Sequence, residues 1–419
     1  MPNYLSQLDK DILKLIKAIG QQADQLQIPA YLVGGIVRDG ILRKLNLDID
    51  IVVEGEALVL AEAIAKKYKV KVTPYAVFNT ATVSLTNGLR LDFASSRKEL
   101  YPSPGALPEV SSGDLKDDLF RRDFTINALA ISINQKSFGQ LVDLFGGIND
   151  LRAQKIRVLH PISFQDDPTR ILRAIRFEQR FQFRLEEQTL LLLKKAIEEK
   201  YFESVKAPRY FAEFRKMLAE ENGVLCLKRL EHLGALSFIH ENLKIDHVAL
   251  LTTNQEFVRF KQTQKYEQEN AGFIYFLVLL EKLDDAQTSF VAERFNLTKD
   301  EKLSITQSRE HKRFYDNLIL DRLKASKVYQ LFKPLSLTTL LYLRCRFAHP
   351  KLRQRIDQFL SQDRQIETAI NGNDLQTLGV IPGQRIGVIL EEILYQKIDG
   401  KIKTKAQELK LAKQMIKDG

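Results

Sequence analysis

The alternation of hydrophobic and polar residues divides the chain into two parts. In the first third, short apolar or alternating runs predict β-strands at AYLVGG, DIDIVVEG, VKVTPY, TATVSLT and LRLDFA. Apolar residues at helical spacing predict helices between these runs, at residues 37–45 and 57–67. Strands that alternate with helices and then follow one another predict one mixed sheet with helices packed on it.

Beyond about residue 150 the strand signal ends and helical periodicity dominates, as in DPTRILRAIRFEQRF, EEQTLLLLKKAIEEKY and GQRIGVILEEILYQKI. Within the first part, the segment SSRKELYPSPGALPEVSSGDLKDD is rich in Pro, Gly and Ser. It predicts a long loop, and loops of this length are commonly functional or mobile. We therefore expect an α+β head followed by an all-helical remainder.

The composition is that of a globular protein with sizeable cores, because 44% of the 419 residues are hydrophobic and 28% are charged. A chain of this length is expected to form two to four domains. The 63 Lys and Arg residues outnumber the 53 Asp and Glu residues, which gives a net charge of +10. That balance suits a polyanionic partner such as a nucleic acid.

The two cysteines, Cys226 and Cys345, form neither a disulfide framework nor a zinc cluster, which indicates a reducing compartment. The first segment, MPNYLSQLDKDILKLIKAIG, contains two aspartates and is typical of an amphipathic helix rather than a signal peptide. No run approaches the ~18 apolar residues of a membrane span. We expect a cytoplasmic protein that does not interact with a membrane.

Two aspartates interrupt the second apolar run. Asp48 and Asp50 stand at i and i+2, so on a strand both side chains would emerge from the same face. Paired carboxylates on one face can hold Mg²⁺, which prefers oxygen ligands and shares its coordination sphere with substrate phosphates. The alternative is a pair of water-facing charges at a sheet edge. The apolar flanks and a glycine turn just upstream favour the metal.

That upstream turn has the composition of a phosphate-binding element. Gly34 and Gly35 separate a predicted strand from a predicted helix. Glycine lets the backbone approach a ligand closely, and the free N–H groups of a helix N-terminus attract anions. Arg38, in the first helical turn, adds a charge-assisted donor. A glycine pair alone is usually only a turn, and its spacing from the two aspartates is what favours a phosphate site.

Two further groups leave alternatives open. Asp92, in LRLDFA, could activate a hydroxyl or complete a metal site, or it could simply pair with Arg90. In RRDFTINALA, Asp123 could be the N-cap of a helix that contains Asn127. Arg122 and Asp123 could instead contact a phosphate and a sugar hydroxyl.

The segment DDPTRILRAIRFEQR predicts a helix with a basic face. Asp167 and Pro168 have the order of an N-cap followed by the first helical residue. One face then carries four arginines and no acidic residue: Arg170, Arg173, Arg176 and Arg180. Such a face favours phosphate or base recognition. Asp167 and Arg170, one turn apart, offer an acceptor beside a forked donor, as needed to pair with a nucleobase.

These stretches resemble, in order, the signature motifs of class II tRNA nucleotidyltransferases and the related bacterial poly(A) polymerases, within the polymerase-β-like superfamily. The motifs are LVGGIVRDGIL…DIDIVVEG, NTATVSL…LRLDFASSRKELYPSPGALP, DLFRRDFTINALA, DLFGGINDLRAQKIRVL and DPTRILRAIRF. They run continuously over residues 30–182. Near the C-terminus, INGNDLQTLGVIPGQRIGVILEEI resembles the tail of CCA-adding enzymes.

The resemblance implies a catalytic nucleotidyltransferase head at residues 1–145 and a helical neck with a base-reading helix at 146–205. A helical body at 206–300 and a tRNA-binding helical tail at 301–419 would follow. It also implies the substrates, namely the 3′ end of tRNA together with CTP and ATP, and Mg²⁺ as cofactor. The lysine-rich run at residues 395–419, YQKIDGKIKTKAQELKLAKQMIKDG, could contact the tRNA backbone.

The resemblance further assigns roles to individual residues. Asp48 and Asp50 would bind two Mg²⁺ ions, and Asp92 would be a third catalytic carboxylate. Asp167 and Arg170 would read the Watson–Crick edge of the incoming base. The nucleotide-binding residues that it implies are Gly34, Gly35, Arg38, Arg122, Asp123, Asn127, Asp167, Arg170, Arg173 and Arg176.

The product is left open among related reactions. We expect template-independent addition of CCA, with release of pyrophosphate. The alternatives are a CC-adding or an A-adding enzyme of a divided pathway, a poly(A) polymerase, and a non-catalytic RNA-binding relative. The last would be expected to lack a metal carboxylate, whereas Asp48 and Asp50 are both present.

Overall fold

The computed structural model describes residues 4–5, 8–44, 47–75, 79–263, 271–310, 318–320, 322–347 and 349–418. The chain forms two compact units, Met1–Phe238 and Ile239–Gly419. The expected division into head, neck, body and tail stays a prediction. Within the described ranges, no helix combines the length and the apolar character needed to cross a membrane.

A mixed sheet forms the centre of the first unit. The strands are β1 (Ala30–Val33), β2 (Ile49–Val53), β3 (Val72–Tyr75), β4 (Thr80–Ser84), β5 (Arg90–Ser95), β6 (Arg97–Leu100), β7 (Glu109–Ser112), β8 (Ala130–Ser132), β9 (Leu141–Val142), β10 (Lys155–Ile156) and β11 (Arg184–Leu185). Seven of them form one sheet in the order β3-β4-β5-β2-β1-β8-β9. Within it β2 and β5 are parallel, whereas the other neighbours are antiparallel. The expected mixed sheet and its first five strands are confirmed.

Helices cover this sheet and continue beyond it. They are α1 (Lys10–Gln25), α2 (Gly35–Ile41), α3 (Ala57–Tyr68), α4 (Leu115–Phe120), α5 (Gly147–Arg152), α6 (Ser163–Asp166), α7 (Thr169–Phe181), α8 (Glu187–Glu198), α9 (Ala207–Leu218) and α10 (Gly223–His232). Short 3₁₀ turns lie at Thr125–Asn127, Gln135–Ser137, Tyr201–Ser204 and Ala235–Phe238. Helix α3 packs against β4 and β5, and α7 packs against α9 and α10.

The segment expected to be a long loop contains a two-stranded antiparallel ribbon, β6–β7, joined through residues 101–108. Its strands have polar sequences, RKEL and EVSS, with largely exposed side chains, so they lack the apolar alternation that marks a strand. Helix α4 follows and begins with a capping box between Asp114 and Asp117. The loop prediction was therefore wrong for this ribbon.

Two helix boundaries also differ from expectation. The segment after Asp123 forms only the turn Thr125–Asn127 before β8, rather than a helix containing Asn127. Helix α2 ends at Ile41, four residues before the expected end, and residues 45–46 lie outside the described residues. Gly40, next to the end of α2, lowers helical propensity, which is consistent with a short helix.

The described part of the second unit is helical. Its helices are α11 (His247–Thr263), α12 (Gly272–Leu280), α13 (Asp285–Arg294), α14 (Lys299–Arg309), α15 (Ala325–Phe332), α16 (Leu337–Arg346), α17 (Pro350–Ser361), α18 (Gly372–Thr377), α19 (Gln384–Ile398) and α20 (Lys405–Asp418), with a 3₁₀ turn at Asp363–Gln365. The predicted all-helical remainder is confirmed apart from the short strands β10 and β11 of the first unit.

The C-terminal helices pack around their own apolar cluster. It is centred on Leu375, Ile393 and Ala412. The buried carboxylate of Glu408 accepts hydrogen bonds from the backbone N–H groups of Ala369 and Ile370, and from Lys397 at 2.7 Å. Lys397 of the lysine-rich run therefore belongs to the fold of this segment.

Candidate active site

The carboxylates of Asp50 and Asp92 lie on one face of the sheet. The parallel register of β2 and β5 places Asp50 opposite Asp92, and β4 places Thr82 opposite Asp92 on its other side. Leu91 and Phe93 point to the opposite face and are buried. The sheet thus separates a packed apolar face from a polar one at this position.

Asp48 does not lie in the strand, because β2 begins at Ile49. It is exposed immediately before the strand, and its charge still contributes to raising the pKa of Asp50. The expected placement of both aspartates on one strand was therefore wrong by one residue. Their electrostatic proximity remains.

The ionisation of Asp50 is perturbed. Burial raises its pKa from 3.8 to about 6, and the charges of Asp92 and Asp48 act in the same direction, whereas Arg122 opposes them. Asp92 accepts a hydrogen bond from Thr82 Oγ1 at 2.5 Å and forms an ion pair with Arg90 at 2.9 Å. Of the two roles considered for Asp92, the pairing with Arg90 is present in this structure.

The residues present fit a divalent cation that is completed by substrate oxygens. Asp50 is a partly buried carboxylate with a raised pKa, so a cation would stabilise its ionised form, and a second carboxylate, Asp48, lies close to it. Among the described residues, no three His, Cys, Asp or Glu side chains are grouped so that they could hold a metal alone. Mg²⁺ usually takes one or two carboxylates and completes its coordination with phosphates and water.

The turn between β1 and α2 lies directly against Asp50. Gly34 has φ +71°, and a Cβ added there would be 3.1 Å from Arg122 Nη1 and 3.6 Å from Asp50 Oδ2. A side chain at position 34 would thus be strained, would crowd the Arg122 guanidinium and would contact the Asp50 carboxylate. Arg122 donates to Asp118 at 2.8 Å, while its buried Nε has no partner among the described residues.

A cavity of about 570 Å³ extends from Asp50 to the N-terminus of α7. Most of the predicted nucleotide-binding residues line it: Gly34, Gly35, Arg38, Arg122, Asp123, Asn127, Asp167, Arg170 and Arg173. Arg176 does not line it, and Asp48 and Asp92 lie outside it. Cationic side chains outnumber carboxylates in the lining, which suits an anionic ligand.

A chain of hydrogen bonds crosses the floor of this cavity. Arg38 is buried, with two bonds to Asp39 at 2.7 and 2.8 Å and one to Asn127 Oδ1 at 2.6 Å. Asn127 donates to Asp123 Oδ1 at 2.8 Å, and Asp123 Oδ2 accepts from Nε and Nη2 of Arg173. Helix α2 is therefore connected to helix α7 through the side chains of Asn127 and Asp123.

Asp123 is held as an anion. Burial alone would raise its pKa, but the Arg173 guanidinium and the Asn127 hydrogen bond overcome burial and bring the pKa to about 2. The Asp123 side chain is 8% exposed and lies 2.6 Å from Arg173 Nη2. Buried charge is tolerated here because it is paired and hydrogen-bonded.

Asp167 and Arg170 both face the cavity from the start of α7. This helix begins at Thr169, one residue later than expected, and Asp167 Oδ1 accepts from the backbone N–H of Thr169. Arg170 is buried and donates to Ser163 Oγ at 2.6 Å and to the carbonyl of Arg121 at 2.7 Å. These contacts hold the guanidinium against the head.

The arginine face of α7 meets carboxylates from other elements. Arg173 and Arg176 lie 3.4 and 3.5 Å from Glu213 of α9, and Arg180 lies 3.4 Å from Glu220. This arginine face therefore has acidic partners that its own helix does not supply, and its recognition of phosphate or base stays a prediction. Spacing along one helix does not show the acids that a packed neighbour supplies.

A second cavity, of about 360 Å³, opens on the polar face of the sheet. It shares Asp50, Arg121 and Arg122 with the first. Asp92, Arg90, Thr80, Thr82 and Tyr75 also line it. The two cavities thus meet at Asp50.

Sequence reasoning missed several lining residues of the first cavity: Glu99, Tyr101, Arg121, Phe177, Arg209, Glu213 and Lys216. Three of them, Arg209, Glu213 and Lys216, recur at i, i+4 and i+7 on α9. A charged stripe on a helix whose other face is aromatic was the available signal.

Family models match two parts of the chain. A model for the poly A polymerase head domain matches residues 30–157, which contain Asp48, Asp50, Asp92 and the turn at Gly34. A second model, described as the probable RNA and SrmB-binding site of polymerase A, matches residues 182–245.

Relatives match nearly the whole chain. The A-adding tRNA nucleotidyltransferase of Geobacter sulfurreducens is 34% identical, over 97% of this chain and 47% of the relative. That of Halalkalibacterium halodurans is 30% identical, over 98% of this chain and 94% of the relative. The chain therefore spans about half the length of the first relative and nearly all of the second.

Solved structures of similar sequence belong to the same group of enzymes. A Thermotoga maritima CCA-adding enzyme complexed with tRNA is 34% identical with a TM-score of 0.69, over 99% of this chain and 97% of that one. Similar solved structures also include CCA-adding enzymes with ATP and with CTP, and one further relative is named a CC-adding enzyme. On this evidence, the chain belongs to the tRNA nucleotidyltransferase family.

Proposed function

We propose that this protein adds nucleotides from CTP and ATP to the 3′ end of tRNA and completes CCA in one chain. The observation that carries the proposal is the meeting of two cavities at Asp50. One would hold the triphosphate at one end and the base at the other, and the second is an open polar surface. A transferase needs two substrate sites that share the reacting centre.

The triphosphate would lie in the first cavity, between the turn at Gly34 and Gly35 and the guanidinium of Arg122. The buried Nε of Arg122 has no partner in the described structure and could donate to a phosphate oxygen. Arg38 would hold this end mainly through Asn127 and Asp123, because its buried guanidinium already donates to Asp39 and Asn127. Asp123 and Asn127 would then face the ribose.

The base would reach the N-terminus of α7, where Asp167 and Arg170 line the cavity. Cytosine and adenine each present an amino donor next to a ring-nitrogen acceptor, which one Asp–Arg pair can match. Guanine and uracil present a carbonyl where Asp167 needs a donor, and an unpaired buried acceptor is costly. Arg173 and Arg176 would support this helix through Glu213.

The 3′-terminal nucleotide of the tRNA would lie in the second cavity, on the polar sheet face. The tRNA 3′ oxygen would attack the α-phosphorus of the bound nucleotide, and the bond from that phosphorus to pyrophosphate would break. Asp48 and Asp50 would hold Mg²⁺, which when bound neutralises phosphate charge and makes the hydroxyl easier to deprotonate. Asp92 would hold the 3′ hydroxyl in place once Arg90 turns to a backbone phosphate.

A-addition alone is the second candidate, because relatives that align over almost this whole chain carry that name. One experiment separates the two. Three tRNA transcripts, ending before CCA, after the first C and after CC, are incubated with Mg²⁺ and CTP, ATP or both, and the products are sized at single-nucleotide resolution. Addition of the complete CCA to the transcript that ends before CCA supports the proposal. Extension of the CC-ended transcript alone supports A-addition, and no extension refutes nucleotidyl transfer.

Base reading has its own test within this scheme. Asp167→Ala should lower the preference for CTP and ATP over UTP and GTP more than it lowers tRNA affinity. Unchanged nucleotide preference in this variant would contradict the assignment of Asp167. A four-part division of the chain into head, neck, body and tail accompanies the proposal, with tRNA contacts expected along the C-terminal residues 301–419.

A further inference from the structure

We propose that Arg209 is a positioning residue that fixes the carboxylate of Asp167 and thereby sets nucleotide selectivity. This inference rests on the proposed function, in which Asp167 reads the base. Arg209 lies on α9, and the sequence analysis assigned it no role. Its guanidinium lines the same cavity as Asp167.

The first step concerns how Asp167 is held. Its Oδ1 accepts from the backbone N–H of Thr169 at 3.1 Å and from Thr169 Oγ1 at 2.7 Å, and it forms an ion pair with Arg209 Nη2 at 3.0 Å. Within the described residues, every hydrogen bond and ion pair that Asp167 forms through its carboxylate involves Oδ1. Oδ2 is therefore the oxygen left for a ligand, and its direction depends on what holds Oδ1.

Thr169 and Arg209 hold Oδ1 from different elements. The two bonds from Thr169 tie the carboxylate to its own helix but permit rotation about the side-chain bonds. A third contact from α9 restricts that rotation. Recognition by one hydrogen-bonding edge needs the acceptor placed to within about 0.5 Å, so the added contact bears directly on which base fits.

Arg209 is itself held at a second point. Its Nη1 donates to the carbonyl of Gly105 at 3.3 Å, in the connection between β6 and β7. The backbone N–H of Gly105 donates to the carbonyl of Gln165 at 3.1 Å, two residues before Asp167. The Arg209 guanidinium therefore contacts both the connection between β6 and β7 and the carboxylate of Asp167.

The contact at Gly105 is too close for any other residue. Gly105 has φ +68°, and a Cβ added there would lie 2.3 Å from Ser204 Oγ and 2.9 Å from the Ser204 carbonyl carbon. Any side chain would move the connection away from its position beside Arg209. Position 105 thus offers a way to disturb Arg209 without changing Arg209 itself.

A purely structural role predicts a different outcome. The Arg209 and Asp167 side chains are 32% and 18% exposed, and ion pairs with this much solvent contact contribute little to folding. Removal of Arg209 should therefore leave the protein folded and alter the direction of Asp167. The loss should appear in the choice among nucleotides.

The test compares Arg209→Ala, Arg209→Lys and Gly105→Ala with Arg215→Ala as the matched control. Arg215 lies on the same helix, packs over the Phe211 ring and does not line the cavity. For each variant, kcat and KM are measured for CTP, ATP, UTP and GTP on one tRNA transcript, together with KM for tRNA and thermal unfolding.

We expect Arg209→Ala to reduce the preference for CTP and ATP over UTP and GTP about tenfold, the size of one lost discriminating contact. The KM for tRNA and the unfolding temperature should stay close to wild type. Arg209→Lys should recover part of the preference, because an ammonium can reach Asp167 but cannot also bind Gly105. Gly105→Ala should lower the preference, and Arg215→Ala should leave it unchanged.

If Arg209→Ala lowers kcat/KM equally for all four nucleotides, or leaves the preference unchanged, the inference is overturned. If Arg209→Ala fails to fold, Arg209→Lys and Gly105→Ala decide by the same preference ratio. Wild-type protein that extends no transcript would instead refute the proposed function. A wild type that is active and selective, with variants of equal selectivity, refutes only the role of Arg209.

Discussion

Asp50 lies directly opposite Asp92 in the parallel pairing of β2 and β5, with both side chains on the polar face of the sheet. Burial, together with the negative charges of Asp92 and Asp48, raises the pKa of Asp50 to about 6. Asp50 is thus a carboxylate whose ionised form gains from a bound cation.

The first prediction concerns the pH dependence of cation binding. A proton competes with the cation for Asp50, so affinity should fall about tenfold per pH unit below pH 6 and level off above about pH 7. Titration with Mn²⁺, whose free form is counted by electron paramagnetic resonance, measures this without nucleotide. Displacement by Mg²⁺ establishes that the two ions share the site.

Asp92→Asn is the control for this titration. It removes a negative charge that raises the pKa of Asp50, so the midpoint of the pH dependence should move to lower pH. A midpoint that stays near pH 6 in this variant would show that a different group controls cation binding.

The second prediction is that Asp50→Asn abolishes transfer while stabilising the metal-free protein. The folded pKa of Asp50 lies above its unfolded value, so its contribution to stability is present at low pH and is lost as pH rises through about 6. At pH 7.5 the free energy of unfolding of the variant should exceed that of wild type by about 1 kcal/mol. This is less than the pKa shift alone implies, because Asp50 retains some solvent contact. Thermal unfolding without Mg²⁺ measures this, and a lower unfolding temperature for Asp50→Asn would count against it.

The third prediction compares two arginines of α7. Arg173→Ala leaves Asp123 buried without its cation, so unfolding at pH 7 should become easier by about 3 kcal/mol. Arg180→Ala breaks a more exposed pair with Glu220 and should cost less than about 1 kcal/mol. Urea unfolding of both variants makes the comparison.

The pH dependence sharpens this comparison. The folded pKa of Asp123 lies below its unfolded value, so the stability from its pairing is present above about pH 4 and is lost as pH falls toward 2. The difference in free energy of unfolding between wild type and Arg173→Ala should therefore become smaller at acidic pH. Adding Asp123→Asn to Arg173→Ala should recover part of the stability at pH 7, and no recovery would mean that the cost arises from lost packing.

The fourth prediction concerns a glycine in α1. A Cβ on Gly20 would lie 1.8 Å from the carbonyl oxygen of Ile133, so α1 could not keep its present distance from the end of β8. Gly20→Ala should destabilise the first unit by about 2–3 kcal/mol. Gly40→Ala is the matched control, because its Cβ would meet the Tyr4 carbonyl oxygen at 3.7 Å and helix propensity should then favour alanine. Equal unfolding midpoints for the two variants would contradict the crowding at Gly20.

The sequence predicts the elements whose pattern is local. Alternation identifies the strand from Arg90 to Ser95 because one side of it is packed and the other is polar. It misses the ribbon β6–β7 because neither strand has an apolar side, so nothing periodic marks it. It also misses the turn at Thr125–Asn127, where the Asn127 side chain accepts a tertiary hydrogen bond from Arg38 and donates a local one to Asp123.

The individual residues of the site can be predicted from the sequence, but the contacts between them cannot. Asp50 and Asp92 stand out in sequence, yet only the register of β2 and β5 places them side by side. The arginines of α7 look unpaired because Glu213 and Glu220 lie about forty residues further along the chain. Arg209 carries no local signal of its relation to Asp167. Each of these relationships depends on packing between distant segments.

The division of β5 into two faces has a consequence for mutational tolerance. Leu91 and Phe93 should accept replacements by shape and volume, because they pack in the interior. Arg90 and Asp92 should tolerate replacements that keep charge and hydrogen-bonding capacity, because their side chains lie on the polar face of the sheet. A complete substitution scan along this strand should therefore alternate with a period of two, with folding yield lost at one set of positions and turnover lost at the other.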